Sequence, residues 1–260
     1  MRILFIGDIF AKSGRKIIQD RLPGLINKNK PDFIIANIEN IAHGAGISKK
    51  TFNFIKSFPI NVFTSGNHIL SKPDGNILLK KNPELLRPIN VKGISGRGYG
   101  IFESNNGIKV GVINIQGRIY MPKTDCPFRM VDKVIEEIKK ETNIIFVDFH
   151  AEATSEKRAM GYFLDGRVSA LIGTHTHIQT ADEEILPQGT AYLTDVGMTG
   201  PQDSVIGVKK DIIIKRFLSC LPVKFDPSKS GNMICGVIID IDEKTGKAIN
   251  IFRIRNKNET

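Results

Sequence analysis

A chain of 260 residues, 41% of them hydrophobic, has enough apolar material for a packed core, which excludes a disordered or fibrous protein. Three widely spaced cysteines, Cys126, Cys220 and Cys235, exclude a disulfide framework and a thiolate metal site and fit a reducing, cytoplasmic setting; no apolar run reaches membrane length, so no membrane partner is expected. The formal charge of +10 favours anionic partners such as nucleotides or RNA, but the lysines are dispersed (Lys49-Lys50, Lys80-Lys81, Lys139-Lys140, Lys209-Lys210) without interleaved aromatics, so RNA has no basic-aromatic platform to support it.

Arg2 to Gly7 reads as a strand buried on both faces and ends at Asp8. A helix is expected from about Gly14, with Ile18, Leu22, Leu25 and Ile26 on one face. Phe33 to Ile38 repeats the apolar strand and ends in Glu39-Asn40, followed by a loop that contains His43. Ser48 is placed to cap a helix that buries Phe52 and Ile55, and Val62 to Thr64 forms a third strand ending in Gly66-Asn67-His68. From about 69 to 107, Pro73, Pro83, Pro88 and the glycines Gly75, Gly93, Gly96, Gly98 and Gly100 break the pattern, and this stretch is expected as an inserted cap in a single domain over residues 1–260. A strand at Ile108 to Ile115, a helix through Val131, Val134, Ile135 and Ile138, and a strand at Ile144 to Phe149 lead to His150. The next strand, Val168 to Ile172, ends in Gly173-Thr174-His175-Thr176-His177, and an extended backbone there would put both imidazoles on one side. Strands near Ile185 to Leu186 and Ala191 to Leu193, a helix near Ile212 to Leu218 and paired strands Met233 to Ile241 and Ala248 to Arg255 complete the chain.

All five histidines thus fall at or just beyond a strand end, alongside Asp8, Glu39, Asn40 and Asn67. Open α/β sheets bind ligands at the carboxyl ends of their strands. A mixed carboxylate, imidazole and amide set suits Fe or Mn first, with Zn or Mg also admissible, and two such ions about 3.5 to 4 Å apart can orient a phosphate for in-line displacement. Asp148 and Glu152 read as groups that orient His150, and the cysteines as inert packing residues.

The ordered blocks Gly7-Asp8, Glu39-Asn40, Gly66-Asn67-His68, His150 and Gly173 to His177 resemble the calcineurin-like metallophosphoesterases. Glu39 to Gly44, Asp148 to Lys157, Gly173 to Ala181 and Thr194 to Pro201 extend the likeness to the YmdB-like branch over nearly the whole chain. The resemblance implies a four-layer α/β/β/α sandwich with a small cap and a two-metal site. Asp8, Glu39, Asn40 and His177 would hold one ion and Glu39, Asn67, His150 and His175 the other, with Glu39 bridging. His68 would be catalytic, stabilising or protonating at the phosphate, and His43, Asp195 and Thr199 would contact substrate or support the ligands. The implied activity is hydrolysis of cyclic nucleotides, 2',3'-cyclic ones above all, by a hydroxide shared between the metals. A phosphomonoesterase or small-RNA nuclease on the same site is one rival, and a regulatory nucleotide-binding protein with little turnover is another. A homo-oligomer is compatible with the sequence. Asp8-Ile9-Phe10 lacks the histidine many relatives place there, and Ile69-Leu70-Ser71 stands where the branch commonly continues Thr-Trp-Asp.

Overall fold

The first strand shows how the layers arise. In β1 (Arg2–Ile6) side chains alternate across the sheet, and the two faces go to different cores: Leu4 and Ile6 to one, Ile3 and Phe5 to another. Because both faces are covered, the strand is a continuous apolar run. In the computed structural model, which describes residues 1–219 and 221–257, the second strand repeats this split: Ile34 and Ala36 join Leu4 and Ile6, Phe33 and Ile35 join Ile3 and Phe5.

In chain order the elements after β1 are α1 (Ala11–Asn29), β2 (Phe33–Asn37), α2 (Lys49–Lys56), β3 (Val62–Thr64), α3 (Asp74–Lys81), β4 (Tyr99–Glu103), β5 (Lys109–Gln116), α4 (Pro127–Ile138) and β6 (Ile145–His150). There follow α5 (Thr154–Leu164), β7 (Ala170–Thr174), β8 (Glu184–Ile185), β9 (Ala191–Leu193), β10 (Gly200–Pro201), α6 (Lys210–Ser219), β11 (Asn232–Ile241) and β12 (Ala248–Lys257). One six-stranded sheet runs β10-β11-β1-β2-β3, with β12 also on β11; the other runs β4-β5-β6-β7-β9-β8. The strands β1, β2 and β3 are parallel, as are β5, β6, β7 and β9, while β10, β11, β12, β4 and β8 pair antiparallel.

Three buried clusters separate four layers. Ile17, Leu22, Phe52 and Ile55 of α1 and α2 pack on the outer face of the first sheet. Phe5, Phe33 and Val237 meet Val112, Phe146 and Ile172 between the sheets, where the Phe5 and Phe146 rings lie 4.9 Å apart. Val131, Ile135, Met160 and Leu164 of α4 and α5 cover the second sheet. The fold is therefore an α/β/β/α sandwich. Ser48 begins α2 with a reciprocal capping box to Thr51, as its position after the glycine-rich loop predicts.

The 69–107 stretch, expected as an inserted cap, is joined to this body at several points. Leu78 and Leu79 of α3 and Leu85 join the helix-facing core of the first sheet, Leu86 joins the core between the sheets, and Tyr99–Glu103 is the edge strand β4 on β5. Prolines and glycines broke the sequence pattern without detaching the segment. Cys235 is buried and Cys126 half-buried, both free; Cys220 lies outside the described residues. Among the described residues no helix is long and apolar enough to cross a membrane.

Candidate metal centre

The carboxyl ends of β1, β2, β3, β6 and β7 deliver the polar residues to one place. Glu39 lies at its middle. Its Oε1 is 3.2 Å from His150 Nε2 and accepts from Asn40 Nδ2 at 3.0 Å, while its Oε2 accepts the His68 backbone N–H at 3.0 Å. On one side, His150 Nε2 is 3.0 Å from Asn67 Oδ1 and 3.0 Å from His175 Nδ1. On the other, His177 Nε2 is 3.1 Å from Asn40 Nδ2 and 3.7 Å from Asp8 Oδ2, which also accepts the His175 backbone N–H at 3.0 Å.

The tautomers are set from outside this group. Thr174 Oγ1 donates to Asp148 Oδ1 at 2.7 Å, so at its 2.9 Å contact with His150 it accepts from Nδ1–H and turns the other ring nitrogen inward. The Asp148 carboxylate is held in turn by Thr64 and Asn37, both within hydrogen-bond reach. His177 Nδ1 donates to the Ile206 carbonyl at 2.9 Å, which likewise leaves Nε2 as a lone pair facing Asn40 and Asp8.

The result is a crowd of acceptors with few donors among them. Asp8 Oδ1 and Asn40 Oδ1 are buried without any partner, and one ligand atom each from Glu39, His150 and His175 lies within 4.8 Å of the others. A buried acceptor without a donor costs roughly 1–3 kcal/mol. Cations among these atoms would satisfy them together, so the donor set fits a divalent metal centre of hard and borderline ligands. Proton affinities respond to the same crowding. Burial drives the Asp8 carboxyl well above the ordinary carboxylate range, against the pull of the His150 charge. Burial also opposes ionisation of Glu39 and His150, but their mutual attraction prevails: Glu39 is held below its usual range and His150 rises to about 9. Burial beside the His150 charge pushes His175 down to about 3, and burial lowers His177.

Two local features make the packing feasible. A Cβ on Gly66 would run into His150 and the Glu39 carboxylate, so only glycine lets β3 end against them. His175 (φ 101°) and His177 (φ 66°) occupy the left-handed region, a cost of about 1–3 kcal/mol each that surrounding contacts must hold. This departs from the extended geometry expected of the pair. Their imidazoles do not share a direction: His175 turns to His150, His177 to Asn40 and Asp8.

Much of the holding comes from Asp195 and a partner, Lys157, to which the sequence assigns no role. Lys157 and Asp195 are both fully buried, with Lys157 Nζ 2.7 Å from Asp195 Oδ2 and donating at 2.8 Å to the Thr174 carbonyl. Asp195 also accepts from the Thr176 and Gly197 backbone N–H groups. The pair therefore straps the segment that carries both histidines. Lys157→Met should lower unfolding free energy by about 3–5 kcal/mol, because it leaves a buried carboxylate unpaired, and pairing it with Asp195→Asn should recover part of that loss. Urea melts of both variants check this; equal stability of wild type and Lys157→Met would refute the strap.

A cleft of about 470 Å³ opens beside the cluster, lined on this side by Glu39, Asn40, His43, His68, His175 and His177. His68 is half-buried, its Nδ1 3.3 Å from Ser71 Oγ, and His43 is exposed at φ 57°. Asp195 and Thr199 are fully buried behind the cleft, which corrects any direct substrate contact for them. Thr199 Oγ1 instead joins both backbone groups of Cys235, and its N–H donates to the Asp8 carbonyl. Glu152 is also reassigned: its carboxylate lies 3.1 Å from His175 Nε2, and Asp148 with Thr174 orients His150. Thr174 and Lys157 had no periodicity to announce them, since each acts through tertiary hydrogen bonds.

Known proteins are similar to this chain over nearly its whole length. A 2',3'-cyclic-nucleotide 2'-phosphodiesterase of Bacillus subtilis is 48% identical over 255 residues, which cover 98% of this chain and 96% of its own. The crystal structure of a novel phosphatase from Mycoplasma pneumoniae superposes with a TM-score of 0.92 at 38% identity, covering 99% of this chain and 93% of that one. A hypothetical protein from Thermus thermophilus gives a TM-score of 0.92 at 34% identity, with 99% of both chains covered. A family model described as YmdB-like protein matches residues 4–254, and the chain belongs to that family.

Proposed function

We propose that this protein hydrolyses 2',3'-cyclic nucleotides to nucleoside monophosphates. Asp8, Glu39, Asn40 and His177 would hold one divalent cation, Glu39, Asn67, His150 and His175 a second, and His68 would act on the phosphate. The observation that carries this reading is the convergence of buried, partly orphaned acceptors on the wall of a ligand-sized cleft. The substrate class is supported by the name of the Bacillus subtilis relative.

When bound, two divalent cations supply a water that is nucleophilic at neutral pH and neutralise charge on the phosphoryl oxygens. Oxygen and imidazole ligands without sulfur favour Fe or Mn for the role. The protein's own part is to hold those ligands rigidly: Asp148 and Thr174 fix the His150 ring, the Ile206 carbonyl fixes His177, and the Lys157–Asp195 pair fixes the loop between. His68 lines the cleft with its backbone N–H pinned by Glu39, and its imidazole would protonate the departing ribose oxygen. The unpaired cysteines fit work in a reducing cytoplasm.

Metal-analysed protein assayed on a phosphodiester panel tests the reading. Turnover of 2',3'-cyclic nucleotides is expected. Activity on nucleoside monophosphates or oligoribonucleotides alone would replace it with a phosphomonoesterase or nuclease, and nucleotide binding without turnover with a regulatory protein.

A further inference from the structure

Besides the polar residues, which also include Glu152 and Thr176, the cleft has a lining of another kind. Phe10, Ile206, Val208, Phe225 and Pro227 line it, and none of these side chains carries a hydrogen-bonding group. Phe10 and Val208 are buried with Met198 and Ile213 in a small core cluster and form its foundation. Ile206 and Phe225 are different: each is 49% exposed. Large apolar side chains at the mouth of a polar ligand site stay hydrated until an apolar surface covers them.

These two residues are also held in place. The Lys209 N–H donates to the Asp226 carbonyl at 3.1 Å, the Ser228 N–H donates to the Gly207 carbonyl at 2.8 Å, and Val208 forms a β-bridge with Pro227. A Lys209–Asp226 ion pair closes the same contact. The segment bearing Phe225 is thereby tied to residues 207–209, and the Ile206 carbonyl next to them anchors His177. The apolar wall and the cation-binding wall are thus one connected piece. The Arg216 guanidinium lies 5.0 Å from the Phe225 ring centroid and is not among the residues lining the cleft.

We propose that Phe225, with Ile206 beside it, is the stacking platform for the nucleobase of the substrate. The proposal rests on the phosphodiesterase reading above and adds a selectivity to it. Every base offers a π-face, and the platform offers no side-chain donor or acceptor, so it retains nucleosides without choosing among bases. Discrimination is left to the phosphate end of the cleft.

Steady-state kinetics on the four 2',3'-cyclic nucleotides and on ethylene phosphate, which has the cyclic diester but no base, test it with the metal-loaded protein. Phe225→Ala should raise KM about tenfold for all four nucleotides, the scale of one lost stack, with kcat changed less than twofold. Its loss in kcat/KM should be about tenfold greater on nucleotides than on ethylene phosphate, and Phe225→Trp should restore the wild-type KM. Equal losses on both substrate types, or a loss confined to one base, overturn the platform. Wild-type protein inactive on every cyclic nucleotide would remove the functional reading instead. The platform is then judged by calorimetric binding of adenosine monophosphate, where Phe225→Ala should weaken affinity about tenfold and equal affinities overturn it.

Discussion

Glu39→Gln should give a folded protein that retains neither metal ion through desalting and has lost on the order of 10³-fold or more in turnover, the several kcal/mol that metal stabilisation of a transition state contributes. The expectation follows from position. The Glu39 carboxylate touches side chains of both halves of the cluster, with His150 on one side and Asn40 on the other. The amide keeps the size of the side chain but removes the charge and replaces one acceptor oxygen with an NH₂ that points at would-be ligands. Folding should survive, because the amide keeps an oxygen to accept the His68 backbone N–H and His150, whose proton Glu39 holds, can become neutral rather than stay an unpaired buried charge. Elemental analysis together with a thermal melt separates the outcomes: two ions bound to the variant would refute the bridging role, whereas loss of metal from an unfolded protein would not count. Glu39→Asp offers a second check, since it keeps the charge and should retain part of the metal.

The residues gathered here were legible in the sequence because strand ends are legible. Apolar runs such as Phe33 to Ile38 stop where the polar group begins, and parallel strands with covered faces have few other ways to be arranged. The directions of the side chains were not legible. An alternation argument assigns His175 and His177 to one side, but both sit at positive φ and diverge, a strain held by tertiary contacts that include the buried Lys157–Asp195 strap, the Asp8 carboxylate and the Ile206 carbonyl. Helix α5 escaped the periodic reading for a related reason: its buried face includes Glu156, Lys157 and Gly161 with Met160 and Leu164, so hydrophobicity does not mark it. Glu156 is used there to accept backbone N–H groups of Arg118 and Ile119, and Lys157 to hold the histidine loop. The edge strand β4 was hidden by Gly100 and by half-exposure, which leave little alternation to read.

His68→Ala should separate chemistry from metal binding: two ions retained, kcat reduced about 10²- to 10⁴-fold, the range expected when a general acid or base is removed. Only the backbone N–H of His68 takes part in the cluster, as a donor to Glu39 Oε2, and alanine preserves that bond. The imidazole lies outside the crowd of acceptors, half-buried on the cleft with Ser71 Oγ as its neighbour, so no would-be metal ligand loses a partner when it goes. If its task is to protonate the departing oxygen, the loss must depend on how much that oxygen needs a proton. A ribose alkoxide needs one and p-nitrophenolate scarcely does, so the variant's deficit should shrink by at least about tenfold on bis(p-nitrophenyl) phosphate relative to a cyclic nucleotide. An equal deficit on both substrates would move His68 from proton donor to electrostatic stabiliser of the phosphoryl oxygens, a role blind to the leaving group. A metal-free variant would overturn both roles.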